Sequence, residues 1–201
     1  MKQFVFLTYS LLLLSCNQNS QTHNGNTEKS EKDDDATQLI YNSFLKYADS
    51  SQTEHLKTQL KNSFDIYDEE NFRIAHIDAE ELSEFNFNFF LPSLNKILAK
   101  RGILLSAKKI DKNENSFTIL INGDSIELYN KAELDKGTFW DTASRKFFRK
   151  INEILKSKNS SESFYLLYGG NDLHAILLTE EQFSIIANHY KNEPKEIPYR
   201  P

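Results

Sequence analysis

Apolar positions recur at helical spacing early in the chain, alternate along its middle, and return to helical spacing twice before the end. Asp35 with Gln38 can form a capping box ahead of Ile40, Phe44 and Tyr47, and Ser51 with Glu54 repeats the signal before Leu56, Leu60 and Phe64. Residues 72–77 then alternate as a short strand, with Phe72, Ile74 and His76 on one face. Asp78, with Glu81 three residues on, starts a helix that is apolar nearly all round: Leu82, Phe85 and Phe89 on one side, Phe87, Phe90, Leu94 and Ile97 on another. Such a helix is buried on more than one face. Pro92 predicts a kink or split within it, and Lys100-Arg101-Gly102 predicts its end.

From 103 to 129 the pattern is a meander of three strands, 103–110, 117–121 and 125–129. Its second turn is Asn122-Gly123, the dipeptide that best tolerates two positive φ angles. In the third strand Ile126 and Leu128 point inward, Glu127 and Tyr129 outward. A helix follows from Thr138, with Asp141 at its third position and Ala143, Phe147, Ile151 and Leu155 on its stripe. Strands at 164–168 and 173–178 flank Gly169-Gly170-Asn171-Asp172, and Thr179 with Gln182 opens a last helix carrying Phe183, Ile186 and Tyr190. Residues 192–201 read as an extended, peripheral tail. With strand connections dominated by hairpins, this order predicts one α+β domain over 36–201. Its sheet is largely antiparallel, of about five to six strands, packed against helices.

The N-terminal end follows different rules. Residues 17–35 hold Asn, Gln, Ser, Thr and charge without a large apolar side chain, so they cannot offset their ordering entropy and read as a tether. Residues 1–15 have a basic start at Lys2, an apolar segment too short to span a bilayer, and a small residue at the cut. The run Leu13-Leu14-Ser15-Cys16 resembles a bacterial lipobox. The resemblance covers the first sixteen residues only. It implies cleavage before Cys16, acylation of that cysteine, and a mature protein anchored to a membrane of the cell envelope, facing an extracytoplasmic compartment. Two or more acyl chains suffice for stable anchoring.

Cys16 is the only cysteine, so its acylation leaves no thiol for a disulfide, a metal site or a nucleophile. A net charge of −5 gives no footprint for nucleic acid. No P-loop, G-x-S-x-G elbow, dinucleotide fingerprint or H-E-x-x-H pattern is present, so neither a cofactor nor a metal is expected.

The most unusual local stretch is the 169–174 tip. Asp172 and His174 could form a general-base pair or half a metal site, with Tyr165, Tyr168, Gly169, Gly170 and Asn171 as binding groups around them. The simpler reading is a hairpin turn that needs glycine and a turn carboxylate. Asp141 beside Trp140 reads first as a capping carboxylate and as a helix partner of Arg145. Arg145, Lys146, Arg149 and Lys150 form a basic strip that could meet anionic head groups or an acidic partner, or could simply be a solvated face. The expectation is a non-catalytic, lipid-anchored domain that binds a protein or an envelope component. The alternative is an envelope hydrolase working at Asp172 and His174.

Overall fold

The computed structural model describes residues 39–110 and 117–201, which lie in one compact unit, Thr37–Pro201. The expected acylation at Cys16, the expected signal and tether, and the expected Asp35 cap fall outside the described residues. The fold is α+β, and the described residues form seven helices and six strands in two antiparallel three-stranded sheets. The helices are α1, described over 39–44, α2 (Thr53–Ser63), α3 (Ala79–Ser83), α4 (Phe87–Ala99), α5 (Lys131–Asp135), α6 (Phe139–Ser157) and α7 (Glu180–His189).

The first sheet is the meander, in the order β2 (Ala107–Ile110), β3 (Phe117–Ile121), β4 (Asp124–Tyr129). Its Asn122-Gly123 turn has φ values of 49° and 95°, as a two-residue hairpin requires. The Asn122 side chain adds two bonds back to the incoming chain, accepting from Ser106 N (2.7 Å) and donating to Leu104 O (3.1 Å). Tyr129 does not face outward. The register slips between Phe117, opposite Tyr129, and Thr118, opposite Glu127. The extra residue on β4 turns Tyr129 back to the inner face, where it is buried and donates to Ser83 O at 2.9 Å.

The second sheet runs β1 (Ile74–His76), β6 (His174–Leu178), β5 (Ser163–Leu167). Period-2 alternation gives it two apolar faces. Ala75, Phe164, Leu166, Ala175 and Leu177 face the main core, shared with α4, α6 and the meander; Ile74, Tyr165, Ile176 and Leu178 face a second core under α1, α2 and α7. The tail is not peripheral. After a 3₁₀ turn at Pro194–Glu196, Tyr199 forms a bridge to Leu166 with paired hydrogen bonds of 2.7 and 2.8 Å, covering the exposed edge of β5.

Local signals decide several boundaries. Thr179 and Gln182 form the expected capping box, and Asp78 accepts from Glu80 N and Glu81 N at the start of α3. A further box, Asn130 with Glu133, opens the unpredicted short helix α5. The long apolar helix breaks at Phe85, which adopts a left-handed φ of 66°, not at Pro92. Pro92 stays inside α4 because both it and Asn88, whose carbonyl loses its helical partner, are exposed. Ser51 and Thr138 do not cap with their side chains: Gln52 takes the first N-cap position and Asp141 turns to Arg145 instead.

Candidate binding cleft

The end of the second sheet collects most of the residues that sequence singles out, in an arrangement that sequence does not reveal. The β5–β6 connection is a 3₁₀ turn, Gly170–Asp172. Gly170 needs its glycine, with φ at 60°, whereas Gly169 is extended and a Cβ there would meet nothing within 4 Å. Just before them, Tyr168 holds a left-handed φ of 59°. That conformation costs an aromatic residue about 1–2 kcal/mol, so the surroundings must enforce it. Its carbonyl accepts from the Tyr199 hydroxyl (2.9 Å), and its own hydroxyl donates to the Glu196 carboxylate. Burial and that carboxylate push the Tyr168 phenol up to about 12, so it is neutral at physiological pH.

Beside this corner lies a cleft of about 260 Å³ walled by Trp140, Tyr168 and Tyr199, with Gly169, Gly170 and Asp141 completing it. Trp140 is 43% exposed and Tyr168 40%, high values for rings of their size. Asp141 Oδ2 accepts from Arg145 Nε at 2.8 Å, and the Ser144 hydroxyl donates to Trp140 O at 2.8 Å. These wall groups are therefore engaged within the protein. What the cleft offers to a partner is aromatic surface with a bare backbone edge.

His174 is not in that wall. It opens β6 directly opposite His76 on β1, with ring centroids 4.9 Å apart. Its Nδ1 donates to the main-chain carbonyl of Asp172 at 2.8 Å, not to the carboxylate, and Asp172 is exposed on the turn. His76 donates from Nε2 to Asn171 O at 2.7 Å, so the role of Asn171 is through its backbone. Phe89, 46% exposed, and Tyr168 meet the histidine pair edge-on at 5.6 and 6.1 Å. The result is a row of four rings running from Phe89 on α4 across β1 and β6 to Tyr168 just after β5. Among the described residues, no group of three or more His, Cys, Asp or Glu is placed to hold a metal. Asp78, on the same strand face as His76 by sequence, is committed to its cap.

Tyr165 is buried, stacked on Phe183 at 4.7 Å and donating to Glu180 at 2.9 Å; it supports the second core. The basic strip is also spoken for. Arg145 pairs with Asp141, lies 4.8 Å from the Tyr199 ring centre and donates to Arg200 O; Arg149 donates to Pro201 O at 2.9 Å. Lys146 pairs with Glu133 and Lys150 with Asp124 and Glu153. Its two arginines hold down the tail whose Tyr199 walls the cleft.

Sequence gave no hint of a second feature. Arg73 is 1% exposed and donates to Ser43 O, Phe44 O, Leu177 O and Gln182, joining α1, β6 and α7. It also meets Glu162 at 2.6 Å, and Arg101 meets the same carboxylate at 2.9 Å. The Tyr47 ring lies 3.7 Å from the Arg101 guanidinium. Burial alone would raise the Glu162 pKa, but the two guanidiniums outweigh it and hold the carboxyl below its ordinary range. No family model, curated protein or solved structure matches this chain.

Proposed function

We propose that this chain is a lipid-anchored, extracytoplasmic binding domain, held to a bacterial envelope membrane through acylated Cys16, whose partner docks on the Trp140–Tyr168 cleft. The observation that carries the reading is the exposure of Trp140 and Tyr168 on one wall, at a corner where Tyr168 is kept in a costly backbone conformation. Large exposed rings around a concavity are the usual anchors of recognition. A hydrolase at Asp172 and His174 finds less support. The imidazole is oriented by a main-chain carbonyl, so the carboxylate that would make it a base is not the group that holds it.

The test is retention of envelope components on the immobilised mature domain. Changing Trp140→Ala together with Tyr168→Ala removes the anchors and is expected to weaken retention about thirtyfold or more, the loss of about 2 kcal/mol typical of an anchor residue. His174→Ala is expected to leave it unchanged. Equal retention by the double variant, or a hydrolytic activity that vanishes with His174→Ala, contradicts the proposal. The anchor is checked separately: Cys16→Ser is expected to move the protein from the membrane to the soluble fraction and to abolish lipid labelling. Membrane fractionation that survives Cys16→Ser contradicts it.

A further inference from the structure

The buried cluster leaves charge uncompensated. Glu162 is one carboxylate between two guanidiniums, Arg73 and Arg101. All three line a cavity of about 380 Å³, formed by the turn after α1, the end of α4, the 158–162 loop and the start of α7. Lys46 and Lys158, both exposed, stand at its mouth. The lining therefore has four cations, Lys46, Arg73, Arg101 and Lys158, and two carboxylates, Glu162 and Glu181. This excess of two positive charges occurs in a chain whose net charge is −5. Buried charge without a counterpart is costly. Burial pushes the Arg73 guanidinium below its usual basicity, and Arg101 adds to that push.

A count of donors points the same way. A guanidinium has five N–H groups and no acceptor. Arg73 uses Nε on Phe44 O, Nη1 on Glu162, Leu177 O and Gln182, and Nη2 once, on Ser43 O. Arg101 uses Nε on Glu162, Nη1 on Phe72 O and Ile97 O, and Nη2 once, on Glu162. Each side chain therefore retains one Nη2 hydrogen without a partner among the described residues, and the side chains are only 1% and 5% exposed.

We propose that this cavity binds a phosphate-type oxyanion, either inorganic phosphate or the head of a phosphomonoester. Arg73 and Arg101 donate from its floor, and Lys46 and Lys158 supply charge at its mouth. A phosphate at pH 7 or above carries about 1.5 to 2 negative charges and several acceptor oxygens, which matches the excess. A single carboxylate brings half the charge. The cavity is distinct from the Trp140–Tyr168 cleft, so binding here neither requires nor excludes a partner there.

The test is calorimetric titration of the full chain, in non-ionic detergent, with sodium phosphate and with sodium acetate at matched ionic strength. Saturable one-to-one binding of phosphate is expected, at least tenfold tighter than acetate. Lys46→Ala with Lys158→Ala is expected to weaken it at least tenfold while thermal unfolding in chloride stays unchanged. These two lysines are exposed and lie outside the buried network, so the variant tests the site without dismantling its floor. A second arm uses neutral vesicles with and without phosphatidic acid. Lysine-dependent binding to the phosphatidic acid vesicles, with no response to inorganic phosphate, assigns the same chemistry to a lipid head group. Phosphate bound no better than acetate with no lysine-dependent vesicle binding, or phosphate binding indifferent to both lysines, overturns the proposal.

Discussion

Glu162→Gln is expected to destabilise the domain by about 3–5 kcal/mol, the cost of removing one partner from a buried ion pair. The glutamine keeps the shape but leaves Arg73 and Arg101 facing each other without a counter-charge. Against a total stability of about 5–15 kcal/mol, that loss is large enough to move the urea midpoint well below the wild-type value. Arg73→Met is expected to cost a similar amount for a different reason. It strands Phe44 O and Leu177 O inside the protein, where a lost hydrogen bond is not replaced by water, and leaves Ser43 O to Gln182 Nε2 alone. Arg73→Lys separates geometry from charge. It retains the cation but cannot span α1, β6 and α7 at once, so it is expected to recover only a minor part of the loss.

The same cluster sets an acid dependence. The folded-state pKa of Glu162 is lowered, so its contribution is complete above the ordinary glutamate range and is lost as pH falls through the folded value. Wild-type unfolding midpoints should therefore fall as the buffer is taken below about pH 4.5. In Glu162→Gln this part of the slope should be absent. An equally steep slope in the variant would assign the acid sensitivity to other carboxylates.

The second large effect is expected at Phe147. This side chain is completely buried on α6, stacked on Phe87 and edge-on to Phe90 and Phe148 at 5.7 and 5.3 Å. Phe148 continues the chain of rings to Phe164 on β5 at 5.4 Å, so the aromatic cluster ties α4 and α6 to the second sheet. Phe147→Ala is expected to cost about 3–5 kcal/mol, because rigid neighbouring rings cannot collapse into the space left behind. Phe147→Leu, which retains most of the volume, should cost distinctly less. Trp140→Ala at the exposed start of the same helix is expected to change stability by about 0.5 kcal/mol or less. Chemical denaturation of the three variants gives the order. A Phe147→Ala variant as stable as Trp140→Ala would mean the packing is looser than the contacts imply.

The legible parts of this fold are the ones written in neighbouring residues. Asn122-Gly123 specifies a turn because both positions need positive φ, and Thr179 with Gln182 closes a cap across three residues. Asn130 with Glu133 was equally local, and α5 was there to be read. Tyr129 turns inward against its alternation because a bulge shifts the register by one, and no residue type announces it. The helix breaks at Phe85 and not at Pro92, the stronger local signal, because an exposed carbonyl tolerates losing its partner.

The sites were harder to read for a different reason. Arg73 and Glu162 are 89 residues apart, and Arg101 and Glu162 are 61 apart, so nothing in their own neighbourhoods marks them. Trp140 reaches Tyr168 and Tyr199 only through tertiary packing. The glycine tip stands out in the sequence through its paired glycines beside Asn171 and Asp172. In the structure His174 meets the main-chain carbonyl of Asp172 and not its carboxylate, while Gly169, Gly170 and Tyr168 line the cleft. The basic strip at Arg145 and Arg149 has its partner inside the chain, in the tail that completes the cleft.

Trp140 is the only tryptophan in the chain, so its fluorescence reports on the cleft without labelling. Titrating the mature domain with an envelope component that it retains should shift the emission of Trp140 to shorter wavelength and shield it from acrylamide quenching, both saturating with the binding curve. Binding that saturates while Trp140 emission and quenching stay at their free values would place the partner elsewhere and contradict the cleft as the working site.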